Sequence, residues 1–440
     1  MEYWRKEYEQ KLCTAEEAIK LIKSGDHVVI GHYAAEPAVL VDAMVKNADA
    51  YRDVSIHQMI TLGPAKYAQP QYKDNFFFDG WYVSESTRDA VAGGYGDVTF
   101  NNYYQIGDFL IKGIYKNDVT MIMVSPPNEK GFVSLGVSVD YTLSAIYSAK
   151  TVIAQVNSRM PFTYGDTLIN ISQFDCIVEA DQELYEASSP APDDVMTAIA
   201  GYCAELIPDR ATISMAAGCM NDVIIRALSD KKDLGIYSDI LTDGMMELYE
   251  KGVITGKYCS TDPRIVVASC AAGSRKLYDF VNNNPGIMFH RAETVNHPYN
   301  LAQQSQFCGI STALQTDILG HVSSGCIGEY MLAGPGGQAG HIRGADLSMD
   351  KKGKAIIVMT SRIKDADDKI VSAIVPMTEL GAEVSVPSEE AQFIVTEYGI
   401  ADLRAKTSEE RARALINIAA PEFIDELIEN YVLRFKKEFS

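Results

Sequence analysis

The chain has 440 residues, of which 47% are hydrophobic and 22% are charged, and these proportions predict a folded globular protein of two or three domains. Its formal net charge of -20 argues against binding to nucleic acid or to an anionic membrane, since both need a basic surface. We see no apolar signal segment and only strand-sized apolar runs, so a cytoplasmic location is expected. The eight cysteines are scattered without a CxxC pair, which predicts reduced thiols and no zinc site.

The first predicted elements form a helix, strand, turn, helix unit. Thr14 and Glu17 have the spacing of a capping box, which predicts that a helix begins there. The apolar run 27–30 reads as a buried strand, and small residues lead from it into a helix that carries Leu40 and Met44. This order is typical of an α/β domain.

The same order returns in the middle of the chain. A helix over 198–207, a strand over 212–215, a small-residue turn over 216–220 and a helix over 221–228 repeat the first unit. The repeat predicts two related domains, 1–190 and 191–440, joined at a segment rich in Ser, Pro and Asp.

The remaining predicted strands alternate with helices. They are 118–125, 151–156, 264–269, 354–360 and 392–396, and two amphipathic helices follow at 408–419 and 421–437. The alternation favours an α/β fold with open, mostly parallel sheets. Ligands bind at the carboxyl ends of strands in such sheets, so active-site residues are expected in the turns that follow strands.

Two turns offer backbone donors at that position. The first contains Ala216, Ala217, Gly218, Cys219 and Met220, and the second contains Gly334, Gly336, Gly337 and Gln338. Backbone N–H groups at such turns can hold a thioester oxyanion or a phosphate. Tight connections that need small residues for packing alone are the alternative at both turns.

Two carboxylates stand four residues apart in a weakly polar segment, at Asp239 and Asp243. Asp243 precedes Gly244, as in an ordinary turn. Asp239 precedes the apolar residues Ile240 and Leu241. It is therefore either a buried carboxylate with a specific role or the cap of a helix, and spacing alone favours the helix cap. The sequence has no HExxH or GxSxG motif, so it gives no sign of a metal site or a serine hydrolase.

Several longer segments carry a resemblance. They are VSPPNEKGF from Val124, GVSVDYT at 136–142, SDKKDLGI at 229–236, KLYDFVNNNP at 276–285, GGQ with IRGA at 336–345, VTEYGIA at 395–401 and RARALINIA at 411–419. With these segments, nearly the whole chain resembles the acetyl-CoA hydrolase/transferase family, and within it the CoA-transferases for 4-hydroxybutyrate, butyrate and acetate.

The resemblance implies two similar α/β domains with the active site between them, and a homodimer or larger homo-oligomer. It implies that acyl-CoA and small carboxylates are substrates, with no permanently bound cofactor or metal. A carboxylate attacks the thioester, an enzyme-CoA thioester forms, and an acceptor carboxylate reverses the steps. By this resemblance Asp239 is the catalytic nucleophile, and 216–220 with 336–338 bind CoA. Such a carboxylate should be partly desolvated, with apolar neighbours and few strong partners.

The site segments depart from the family pattern more than the scaffold does. The family has glutamate where Asp239 stands, and usually other residue types at Cys219, Met220, Asn221 and His341. Shortening Glu to Asp withdraws the carboxylate by roughly 1.5 Å. Three functions therefore stay open: a CoA-transferase with an altered carboxylate pocket, an acyl-CoA hydrolase, and a CoA-binding paralogue with weak or no activity.

Overall fold

The structure is a computed structural model that describes residues 3–187, 191–216, 218–334, 336–365 and 369–439. Its α-helices are α1 Tyr3–Lys11, α2 Ala15–Ala18, α3 Ala38–Lys46, α4 Arg88–Ala92, α5 Ile106–Ile111, α6 Thr142–Ser148, α7 Asp194–Leu206, α8 Cys219–Ala227, α9 Asp243–Glu250, α10 Arg275–Val281, α11 Ala292–Val295, α12 Pro298–Ala302, α13 Gln338–Asp346, α14 Ser408–Ile416 and α15 Ile424–Phe435.

The strands alternate with these helices. They are β1 His27–Ile30, β2 Val54–His57, β3 Phe76–Gly80, β4 Gly96–Val98, β5 Val119–Val124, β6 Phe132–Ser134, β7 Thr151–Val156, β8 Tyr164–Gly165, β9 Leu168–Asn170, β10 Cys176–Glu179, β11 Thr212–Met215, β12 Gly235–Leu241, β13 Val266–Ala271, β14 Ile287–Phe289, β15 Cys308–Thr312, β16 Gln315–Asp317, β17 Val322–Ser323, β18 Cys326–Ile327, β19 Tyr330–Met331, β20 Lys354–Val358, β21 Arg362–Lys364, β22 Ile370–Ser372, β23 Ile374–Val375, β24 Phe393–Thr396 and β25 Gly399–Asp402.

The chain forms two compact units. The first contains Met1–Ser188, Ile240–Asp243 and Val266–Val295, and the second contains Ser189–Asp239, Gly244–Ile265 and Asn296–Ser440. Each unit is therefore built from more than one stretch of sequence.

In the first unit a parallel sheet has the strand order β10-β7-β5-β1-β2-β3-β4. Its central strand β1 is buried, and Leu40 and Met44 of α3 belong to the same core cluster. A helix face with this spacing buries one side against the sheet, as the apolar pattern at 39–44 predicts.

In the second unit, strands β25, β24, β20, β15, β11 and β12 are neighbours in that order. They pair in parallel except β24 with β25, which are antiparallel. Helix α13 packs on β15 and β20. The predicted α/β fold with mostly parallel sheets is confirmed.

Most of the predicted elements are confirmed with boundaries that shift by a few residues. The capping box at Thr14 and Glu17 is formed, and the strand 212–215 has the predicted bounds. The helix predicted at 221–228 begins earlier, at Cys219, because Gly218 occupies the N-cap.

One prediction about the cysteines is wrong. Cys13 and Cys176 form a disulfide across 163 residues of sequence. The segment before α2 pairs with β10, where the Cys13 N–H donates to the carbonyl of Ile177, and this brings the two cysteines together. Such a pair depends on the tertiary fold and leaves no spacing pattern in the sequence. Among the described residues, no helix is both long and apolar enough to cross a membrane.

Candidate active site

Asp239 lies within strand β12, so the helix-cap interpretation of this residue is wrong. The residue is only 6% exposed, and all seven positions of the strand are buried. The run GIYSDIL forms a strand because apolar and β-branched side chains are packed on both faces of a central parallel strand. The burial expected of a nucleophilic carboxylate is confirmed.

Strand register places Asp239 at the carboxyl edge of the sheet. Thr212 and Ile213 of β11 are opposite Gly235 and Ile236 of β12, and β11 ends two residues later, at Met215. There the Ser238 hydroxyl accepts from the Met215 N–H at 3.0 Å and donates to the Met215 carbonyl at 2.9 Å. Asp239 is the next residue of its strand, so its side chain lies just beyond the end of β11.

The same register places Ser311 at this level on the other side of β11. Met215 is opposite Ile310 of β15, and Ser311 follows. Adjacent strands are about 4.8 Å apart, so the strands that carry Asp239 and Ser311 are separated by roughly 9.6 Å. Strand β11, which lies between these two strands, has already ended at this level. The shorter central strand therefore leaves a gap at the carboxyl edge.

The imidazole of His341, in α13, spans this gap. Its Nε2 lies 3.1 Å from Oδ2 of Asp239, and its Nδ1 lies 3.4 Å from Oγ of Ser311. His341 is fully buried. Nε2 is a buried nitrogen beside a carboxylate, and among the described residues it has no hydrogen-bond partner.

The other carboxylate oxygen of Asp239 is held by an amide. Nδ2 of Asn296 donates to Oδ1 of Asp239 at 2.8 Å and to the carbonyl of Gly337 at 3.0 Å. The Asp239 carboxylate therefore lies against an amide and an imidazole, while the small number of strong partners stays a prediction. A short carboxyl side chain at a buried position satisfies its acceptors through neighbouring side chains, and this requires polar neighbours.

The glycine-rich turn before α13 lies directly against Asp239. A Cβ atom added to Gly337 would stand 1.9 Å from Oδ2 of Asp239, closer than any side chain can approach. Gln338 begins the helix, is buried, and donates to the carbonyl of Thr312 at 3.3 Å. Gly336, with a φ of +54°, precedes them. The structure thus brings the second predicted turn together with the predicted nucleophile.

The first predicted turn follows β11 at the same edge of the sheet. Ala216 comes directly after Met215, and its carbonyl accepts from Nδ2 of Asn221 at 2.9 Å. Gly218 has a φ of +144°, a conformation that favours glycine, and it leads into α8, where Cys219 and Met220 are partly exposed. Ala217 lies outside the described residues.

Asp222, in the first turn of α8, has a structural role. Its Oδ1 accepts from the Gly244 N–H at 2.9 Å, and its Oδ2 pairs with Arg226. The carboxylate therefore joins the start of α9 to α8. Asp243 is also occupied, since it accepts from the N–H and the hydroxyl of Ser274 at 2.8 and 2.6 Å. Of the two sequence candidates, Asp239 alone stands beside a glycine-rich turn.

Two residues of this site, Asn296 and Ser311, were not found from the sequence. His341 differs from the family pattern in the sequence, but no motif assigns it a role. Asn296 and Ser311 belong to no motif. The register of β11 with β15 places Ser311 at the site, and the hydrogen bond to Asp239 places Asn296 there.

Comparison with known proteins agrees with this architecture. The model of the acetyl-CoA hydrolase/transferase N-terminal domain matches residues 1–186, and that of the C-terminal domain matches residues 273–431. A 4-hydroxybutyrate coenzyme A transferase of Clostridium kluyveri is 41% identical over 98% of this chain and 100% of its own length.

Two solved structures share the fold. RipA from Yersinia pestis superposes with a TM-score of 0.91 at 30% identity, covering 98% of this chain and 99% of that one. A 4-hydroxybutyrate CoA-transferase from Porphyromonas gingivalis has a TM-score of 0.82 at 33% identity, covering 98% of this chain and 100% of that one. This chain belongs to the acetyl-CoA hydrolase/transferase family.

Proposed function

We propose that the protein transfers CoA between an acyl-CoA and a small carboxylate, with Asp239 as the nucleophile. The observation that carries the proposal is a buried carboxylate at the carboxyl end of a parallel strand, in contact with the glycine-rich turn at the start of α13. Membership of the family and the 41% identical 4-hydroxybutyrate coenzyme A transferase support this reaction class.

In the proposed reaction the Asp239 carboxylate attacks the thioester carbonyl, and the C–S bond breaks to release the CoA thiolate. The thiolate then attacks the aspartyl carbonyl of the mixed anhydride, which releases the first carboxylate and leaves an aspartyl-CoA thioester. An acceptor carboxylate reverses the two steps. Each step passes through a tetrahedral oxyanion, which the N–H groups at the starts of α8 and α13 are proposed to stabilise.

The same N–H groups are the proposed contacts for CoA. They belong to Ala216, Ala217, Gly218, Cys219 and Met220 in one turn and to Gly336, Gly337 and Gln338 in the other. The first backbone N–H groups of a helix have no partner within the helix, and an anionic group binds there favourably.

Mass spectrometry after incubation with acetyl-CoA tests the nucleophile. We expect a CoA adduct on the peptide that contains Asp239, and none in an Asp239→Ala variant. That variant should lose CoA exchange while it still binds CoA, because the proposed CoA contacts are backbone N–H groups, which the substitution does not remove. An adduct on another residue, or exchange at the parent rate in Asp239→Ala, would show that Asp239 is not the nucleophile.

Asp239→Glu distinguishes an active enzyme from a disabled paralogue. The carboxylate already lies against Gly337 and beside His341, so an added methylene should displace it from its partners. We expect lower activity than in the parent, since a misplacement of about 1 Å costs roughly a hundredfold. Higher activity in Asp239→Glu would instead identify the parent as a paralogue disabled by its short side chain.

The donor is proposed to be the CoA thioester of a small carboxylic acid and the acceptor a small carboxylate. The preference among them is proposed to differ from that of relatives because of Cys219, Met220, Asn221 and His341. A kinetic survey with acetate, butyrate, 4-hydroxybutyrate and more polar carboxylates tests this. We further propose a cytoplasmic homodimer or larger homo-oligomer, which cell fractionation and light scattering can check.

A further inference from the structure

Nε2 of His341, the buried nitrogen beside Asp239, has no function in the attack of the carboxylate on the thioester. A carboxylate is already a nucleophile and needs no base to remove a proton, whereas water does. Nε2 of His341 lies 3.1 Å from Oδ2 of Asp239 and, within the part of the chain that the structure describes, has no hydrogen-bond partner, although the whole residue is buried. A buried polar atom without a partner calls for an explanation, because leaving it unpaired costs free energy.

Ser311 can orient the imidazole. When Nδ1–H donates to Oγ of Ser311, Nε2 carries the lone pair and can accept a proton. The partner on Nδ1 determines the tautomer, as in other sites where histidine serves as a base. The Asp239 side chain is 8% exposed while that of His341 is fully buried, so the imidazole is held in place beside a carboxylate that keeps a small exposed surface.

We propose that His341 acts as a general base that activates water, and that this water hydrolyses the thioester formed on Asp239. This inference rests on the proposed function, since it needs an aspartyl-CoA intermediate. Water attacks the aspartyl carbonyl carbon as Nε2 removes its proton. The tetrahedral intermediate then collapses, the C–S bond breaks, and the CoA thiolate takes the proton from the imidazolium. The second proton of the water stays on the Asp239 carboxyl group and is then released to solvent. The products are therefore CoA, a proton and the free Asp239 carboxylate, and the net reaction is hydrolysis of the acyl-CoA.

Two variants separate this role from a merely structural one. His341→Gln keeps a polar side chain but cannot accept the proton, and His341→Phe removes both properties. His321→Gln is the matched control, because His321 also pairs with an aspartate, Asp317, at 2.8 Å in the same unit but outside the site. Thermal melting of each variant checks that it is folded.

The assay compares CoA release from acetyl-CoA without any acceptor with CoA transfer to a carboxylate acceptor. Loss of a general base typically costs a factor of 10² to 10⁴, so we expect the ratio of hydrolysis to transfer to fall by about 100-fold or more in both His341 variants. Intact-protein mass spectrometry should show that the aspartyl-CoA adduct persists longer by a similar factor. The His321→Gln control should match the parent in both respects.

The outcomes separate this inference from the proposed function. If the adduct forms on Asp239 in the parent but His341→Gln and His341→Phe hydrolyse acetyl-CoA at the parent rate, the role of His341 is wrong and the nucleophile stands. If no adduct forms on Asp239 and Asp239→Ala still transfers CoA, both proposals are wrong. A parallel loss of hydrolysis and transfer, with an unchanged adduct lifetime, would make His341 a positioning residue and overturn its role as a base.

Discussion

Replacing Gly337 by alanine tests the geometry of the site with a single methyl group. The added Cβ would stand 1.9 Å from Oδ2 of Asp239 and 2.9 Å from Nδ2 of Asn296. A carbon and an oxygen rest about 3.3 Å apart, so the carboxylate must retreat by roughly 1.4 Å or the turn must move by as much. The φ of Gly337 is −89°, which alanine adopts without strain, so the contact alone causes the effect.

A displacement of this size should lower kcat/KM for CoA transfer by about 100-fold, since a positioned reaction loses that much for roughly 1 Å. The loss corresponds to about 2.7 kcal/mol of transition-state stabilisation. Steady-state kinetics with acetyl-CoA and a carboxylate acceptor measure it, and isothermal titration with CoA shows whether the turn also contributes to binding.

Gly201→Ala is the matched control, because Gly201 lies in α7 and a Cβ there meets nothing within 4 Å. It should transfer CoA at the parent rate. If Gly337→Ala also keeps kcat/KM within a factor of about three of the parent, well short of the loss expected for a 1 Å displacement, the position of Asp239 has no bearing on the chemistry.

Three further predictions concern other parts of the chain. Among the described residues, Cys219 is the one free cysteine that is not buried, so iodoacetamide should label it first. If the turn that contains Cys219 binds CoA, bound CoA should slow this labelling, and an unchanged labelling rate would show that the turn is not part of the site. Asp222→Ala should lower the free energy of unfolding by about 2 kcal/mol in urea titrations, because the Gly244 N–H and Arg226 lose a buried acceptor, and an unchanged midpoint would contradict its structural role. Burial raises the pKa of the Glu36 carboxyl group above its ordinary value of 4.5. The contribution of Glu36 to the free energy of unfolding is therefore complete below pH 4.5 and is lost as the pH rises through the raised pKa. Glu36→Gln should therefore match the parent near about pH 4 and be the more stable protein near about pH 8, and equal stability at both values would refute the argument.

The scaffold could be predicted from the sequence because its signals are local. The capping box at Thr14 and Glu17 and the apolar strands at 27–30 and 212–215 depend on neighbours within one element, and they appear where expected. The boundary of an element differed from the prediction where the backbone conformation of one residue determined it. Gly218 occupies the N-cap of α8, so this helix begins at Cys219 and not at residue 221.

The site could be predicted only in part, because its geometry depends on register between strands. Asp239 was found through the resemblance, while its place inside β12 was not, since an aspartate in an apolar run also suits a cap. Asn296, Ser311 and His341 converge on the gap beyond β11 from separate parts of the chain. Cys13 and Cys176 were missed for the same reason.

The contact between Asp239 and the turn at Gly337 also limits how this chain can change by single substitutions. Three positions share one small volume: the carboxylate at 239, the missing side chain at 337 and the imidazole at 341. Mutational effects at residues in contact are not additive, so a longer acid at 239 is expected to be harmful alone and acceptable only when position 341 changes with it. A path of single steps between this site and one with glutamate therefore crosses a poorly active intermediate, and the aspartate is expected to be inherited together with its histidine.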